Sequence, residues 1–67
     1  MSGKLLALTL TYQDGRTHSK MINTSQVVEI EADPREGAPS KTIIKTVDGR
    51  KLYCTNTYDD VMAQYNG

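Results

Sequence analysis

The sequence predicts an α+β, mainly β, single domain spanning residues 1–67: a five-stranded, mostly antiparallel, bent sheet or small open barrel followed by one short helix, in the order β-β-β-β-β-α. Three observations carry this expectation. Apolar and polar residues alternate over several short runs, an Asp-Gly-Arg turn signal occurs twice, and an amphipathic run with a capping signal closes the chain.

From Lys4 to Tyr12 alternation places Leu6, Leu8, Leu10 and Tyr12 on one face and Leu5, Ala7, Thr9 and Thr11 on the other. Asp14-Gly15 fits a two-residue type I′ turn, whose central positions both need positive φ, and the returning strand is Arg16–Ile22. That loop length pairs Tyr12 with Thr17, Leu10 with Ser19 and Leu8 with Met21, so Met21 joins the leucine face. Asn23 offers a capping oxygen to a single helical or 3₁₀ turn, after which Val27–Glu31 resumes alternation as a third strand. Val28, Ile30 and Ala32 then share one side, and Val27, Glu29 and Glu31 the other, with the two glutamates forming a solvated edge.

Residues 33–41 contain two prolines and a glycine without periodicity, which predicts a flexible loop. Thr42–Val47 and Arg50–Thr55 flank the second Asp-Gly turn. A two-residue loop there pairs Lys45 with Leu52 and Ile43 with Cys54 on one face, and Ile44 with Tyr53 on the other. Thr57-Tyr58-Asp59-Asp60 has the form of a capping box, and Tyr58, Val61, Met62 and Tyr65 follow the spacing of one helical stripe. Apolar residues on both faces of several strands exceed what one short helix covers. Either the sheet curls or a second copy shares the surface.

A chain of 67 residues buries only about 60% of the surface its unfolded form exposes, so it calls for a further stabilising device. Cys54 is the only cysteine, which excludes an internal disulfide, and His18 is the only histidine, which leaves no cluster of metal ligands. A partner subunit remains, and a homo-oligomer is the expectation. The single thiol and the lack of a signal-like segment favour a cytoplasmic location, and no run approaches the ~20 apolar residues of a membrane-spanning helix. Eight basic residues balance eight acidic ones, unlike the basic excess of most nucleic-acid binders.

No pattern of catalytic residues stands out, and the chain reads as non-enzymatic, without cofactor or metal. His18 has no sequence-local carboxylate or nucleophile to orient it, Cys54 falls on the expected core face, and Asp59-Asp60 suits the positive end of a helix. The candidate ligand- or partner-binding residues are Arg16 and Arg50, each just after an Asp-Gly turn, with Lys51 beside them, and Ile44 and Tyr53 on the surplus apolar face.

From Leu8 to Tyr65 the layout resembles small FlbD-like flagellar proteins. The residues that carry the resemblance are the Ile22-Asn23 break, the strand ending Ile30-Glu31-Ala32-Asp33-Pro34, the hairpin Thr46-Val47-Asp48-Gly49-Arg50-Lys51 and the acidic helix reaching Val61. The longer loop at Arg35–Ser40 departs from that layout. The second half also resembles LytTR-type DNA-binding domains in the order Val27–Ile30, Ile43–Val47, Gly49–Tyr53, Val61. The function expected is a small interaction protein that self-associates and binds another protein. The alternative is sequestration of a nucleotide or nucleic acid by the arginines and an aromatic ring, as in a phage-type accessory protein.

Overall fold

Leu6, Leu8 and Leu10 leave the first strand on one side and are almost fully buried, and the rest of the molecule is arranged around them. The computed structural model describes residues 4–67. The elements are β1 (Leu5–Thr11), β2 (Thr17–Asn23), a 3₁₀ turn (Thr24–Gln26), β3 (Val27–Ala32), β4 (Thr42–Thr46), β5 (Lys51–Cys54) and α1 (Tyr58–Asn66). One antiparallel sheet has the strand order β2-β1-β5-β4-β3, so two hairpins are joined through β1 and β5, and β2 and β3 are its edges. The predicted element order and fold class hold.

Both hairpin registers differ from the sequence expectation by one residue. In the first, Gly15 N–H donates to Tyr12 O and Tyr12 N–H to Arg16 O, each at 3.0 Å, which makes a three-residue loop of Gln13, Asp14 and Gly15. The second repeats it, with Gly49 N–H on Thr46 O at 3.0 Å and Thr46 N–H on Arg50 O at 2.9 Å. A type I′ turn would put each aspartate at positive φ, a cost of about 1–2 kcal/mol for a residue with a Cβ. Here only Gly15 (φ 88°) and Gly49 (φ 87°) adopt it, in the type I turn plus bulge that three-residue hairpins favour.

A shift of one residue moves a strand's side chains to the other face. Leu6 therefore pairs with Ile22, and Ile22 enters the core while Met21 is exposed, the reverse of the expectation. In the second hairpin Ile44 pairs with Leu52 and Thr42 with Cys54, facing inward, while Ile43 pairs with Tyr53 on the outer side. Ile44 is 0% exposed, so it belongs to the core and not to a binding surface. Cys54 is buried as expected, beside Leu10 and Thr42 rather than Ile43. In β3 the register slips between Val27 and Glu29, so Val28 bulges outward and both Val27 and Ile30 pack on the core. The solvated glutamates Glu29 and Glu31 lie on the outer side of this edge, as expected.

Two asparagines end the two hairpins. Asn23 accepts from Ser25 N–H at 2.9 Å and caps the 3₁₀ turn, as its position predicts. Asn56 accepts from Thr9 N–H at 2.8 Å, its carbonyl accepts from the Thr42 hydroxyl at 2.7 Å, and its amide reaches Asp60 at 3.3 Å. The Thr57 hydroxyl accepts from Asp60 N–H at 3.1 Å, completing the expected cap of α1. Val61 buries itself among the leucines, Met62 is half-buried, and Tyr58 and Tyr65 keep much of their rings in solvent.

Because Ile44 sits in the centre of this core, Ile44→Ala should cost about 2–5 kcal/mol in urea denaturation, while Ile44→Asp should not fold. Gly49→Ala keeps the core but forces a Cβ into positive φ, and should cost about 1–2 kcal/mol by the same measurement.

Candidate functional site

The five residues that the sequence marks for binding do not converge. Arg16, at the β1–β2 tip, has a side chain 82% exposed and an ion pair to Asp14 at 3.1 Å. Arg50, at the β4–β5 tip, is 75% exposed and pairs with Asp48 at 3.3 Å. Arg50 borders a shallow opening shared with Lys20, Ile22 and Leu52, whereas Lys51 lies on the outer side with Lys45, Glu29 and Glu31. Ile44 is internal. Of the five, only Tyr53 lines the cleft at the end of β1.

That cleft, about 370 Å³, lies between the end of β1 and residues 33–41, and is lined by Thr11, Tyr12, Gln13, Arg35, Pro39, Ser40 and Tyr53. Its volume is in the range of small-ligand and peptide pockets. The segment expected to be a flexible loop is closed on itself by a polar network. Arg35 Nε donates to Asp33 Oδ1 at 3.0 Å and Nη2 to Asp33 Oδ2 at 2.7 Å, a two-pronged pair, and Nη2 also reaches Ser40 Oγ at 3.2 Å. The Ser40 hydroxyl donates to Asp33 Oδ2 as well, and Asp33 N–H donates to Lys41 O at 3.0 Å. The Asp33 side chain has no exposed surface, while that of Arg35 is 57% exposed.

This network aims a cation at an aromatic ring. The Arg35 guanidinium carbon stands 5.0 Å from the centre of the Tyr53 ring, within cation–π range. Nε and Nη2 are committed to Asp33 and Ser40, and Nη1 has no hydrogen-bond partner among the described residues. Tyr12, 50% exposed, adds a second ring, and Pro39 adds a rigid apolar edge. The cleft is aromatic, has hydroxyl and amide groups around it, and carries no net charge from its one ion pair.

Arg35 was not among the sequence candidates, yet a signal for it exists. Asp33-Pro34-Arg35 is a third Asp-x-Arg unit beside Asp14-Gly15-Arg16 and Asp48-Gly49-Arg50. In all three the aspartate Oδ1 accepts from the arginine N–H two residues on, at 3.0, 2.9 and 3.3 Å in chain order, and a carboxylate oxygen pairs with the guanidinium. Only the middle unit is packed against the protein, and there hydrogen bonds from Arg35 and then Ser40 hold the Asp33 carboxyl well below the usual carboxylate range. Asp48 is also lowered, chiefly by the Thr46 hydroxyl. Burial pushes the Cys54 thiol up to about 11. His18 is exposed on β2 opposite Leu10. Among the described residues no group of His, Cys, Asp and Glu is arranged to hold a metal ion, and no helix is long and apolar enough to cross a membrane.

Comparison of the chain with family models, curated proteins and solved structures finds no match.

A carboxylate with a lowered folded pKa contributes stability above its unfolded value of about 4, and that contribution disappears as pH falls through the folded value. The stability difference between the protein and Asp33→Asn should therefore be constant near neutral pH and shrink progressively below about pH 4. Denaturation monitored by circular dichroism at several pH values checks it. Cys54, buried and protonated, should react with a disulfide reagent at pH 8 only on the timescale of opening, and rapidly once denaturant unfolds the chain.

Proposed function

We propose that this chain is a non-enzymatic interaction domain that binds another protein through the cleft between Tyr12 and Tyr53 and associates with copies of itself. The observation that carries the reading is the Asp33–Arg35–Ser40 network: a carboxylate withdrawn from solvent holds an exposed guanidinium over a half-buried ring. Tyrosine and arginine held in fixed conformations are the side chains that concentrate binding energy at protein interfaces, because little entropy remains to be lost. Leu5, Met21, Val28 and Val47 also leave more than half their surface in water, which supports further protein contacts and self-association. The FlbD-like layout is compatible with an accessory role of this kind, in the cytoplasm. Phosphate binding by Arg16 and Arg50 is the weaker reading, because each guanidinium already has its own aspartate and the two border no common cleft.

Capture from the native host with wild-type protein and with a Tyr53→Ser, Arg35→Ala variant tests the cleft. The variant should fold by circular dichroism and lose the captured partner. Equal capture by both would remove the cleft from the interface. Light scattering over a range of concentrations tests self-association, and a mass fixed at one chain would overturn that part.

A further inference from the structure

The two edges of the sheet are not equivalent. β3 carries the bulge at Val28 and two glutamates, devices that discourage another strand from pairing with it. β2 has no bulge and a single fixed charge, Lys20, as its guard: it pairs with β1 in unbroken register from Thr17 to Asn23, contains no proline or glycine, and is exposed at every position from Thr17 to Met21.

The free side of β2 follows from its bonded side. Tyr12 bonds with Arg16 and Lys4 with Thr24, so the residues that exchange hydrogen bonds across the hairpin are those two apart in this series: Lys20 with Leu8, His18 with Leu10, Ile22 with Leu6. The N–H and C=O groups of Thr17, Ser19 and Met21 therefore point away from β1, and no other described segment bonds to them. Side chains flank this edge with a pattern of their own. His18 and Lys20 stand on one side, with Lys20 in no ion pair among the described residues, and Ser19 and Met21 stand on the other, next to exposed Leu5.

We infer that the β2 edge accepts an extended segment of a partner protein as a sixth strand, one with acidic residues two apart facing His18 and Lys20 and an apolar residue next to the acid at Lys20, facing Met21. Backbone groups of Thr17, Ser19 and Met21 supply the attachment, and the alternating side chains supply the choice of partner. A second copy is the poorer occupant. Antiparallel pairing of two β2 strands over their whole length sets Lys20 opposite Lys20, which repels. This edge is a separate surface from the Tyr12–Tyr53 cleft, and does not depend on it.

The test is an amide-resolved magnetic resonance titration with the capped hexapeptide Thr-Glu-Val-Glu-Val-Thr, and with the same peptide carrying lysine for glutamate. The acidic peptide should shift the Thr17, Ser19 and Met21 amides and slow their hydrogen exchange, leaving the already bonded His18, Lys20 and Ile22 amides little changed in exchange. Ser19→Pro removes an outward N–H without touching the β1 ladder, and should abolish binding while the rest of the amide spectrum stays in place. Should that variant fail to fold, Lys20→Glu serves: it should weaken the acidic peptide about fivefold or more and favour the basic one. Equal binding of both peptides, shifts confined to the cleft, or protection of Ser19 that rises with protein concentration without peptide would each overturn the proposal, the last by assigning the edge to a second copy. Loss of cleft capture in Tyr53→Ser, Arg35→Ala with peptide binding intact separates the two surfaces.

Discussion

The molecule depends on how β1 uses its second edge. Along one edge β1 pairs with β2 for its full length, but along the other β5 reaches it only around Leu10. The remainder is completed by the backbone of Thr55 and by side chains that stand in for a strand. Thr9 N–H meets the Asn56 amide oxygen at 2.8 Å, and Thr9 O accepts from Thr55 N–H at 2.8 Å. One step further, the Gln64 amide of α1 both accepts from Ala7 N–H at 2.8 Å and donates to Ala7 O at 3.0 Å, the pairing that a backbone peptide would make. The helix is thus registered on the sheet by hydrogen bonds as well as by Val61. Because backbone groups left without partners are costly, this joint decides where the sheet stops and the helix begins.

From that joint the cleft follows. Bringing β5 against the far end of β1 sets Tyr53 beside Thr11 and Tyr12, and the connection from β3 to β4 has to pass over them. Lys41 N–H bonds Cys54 O at 2.7 Å, which brings the end of that connection down onto β5. Its start is held by Asp33. A segment with two prolines and a glycine has few ladder bonds to lose, so a carboxylate, a guanidinium and a hydroxyl supply its order instead.

Element types were legible in the sequence because alternation, capping residues and turn residues agree with one another. Leu6, Leu8, Leu10, Asn23 and Thr57 take the roles their positions suggest. What was not legible was a matter of one residue. Asp-Gly is compatible with a two-residue and a three-residue loop, and choosing the former reversed Met21 with Ile22 and grouped Ile44 with Tyr53. The β3 bulge has no signal except that Val27 and Ile30 are both apolar, three apart. The cleft was half legible: Tyr53 was marked, but Arg35 lay in a stretch whose composition reads as unstructured, and only comparison of its Asp-x-Arg spacing with the two hairpin tips separates it from loop sequence.

Those three Asp-x-Arg units also bear on the order in which the chain assembles. Each needs three consecutive residues to form its turn and its charge pair, so each is available to a chain that is otherwise unfolded, and the two hairpins close over short loops. The Gln64 bond to Ala7 spans 57 residues and the Asn56 bond to Thr9 spans 47. Short-range contacts form at little loop-closure cost, whereas contacts of that separation wait for the chain ends to meet. On loop-closure grounds alone, docking of the hairpins along β1 and latching of the C-terminal helix should follow closure of the hairpins themselves.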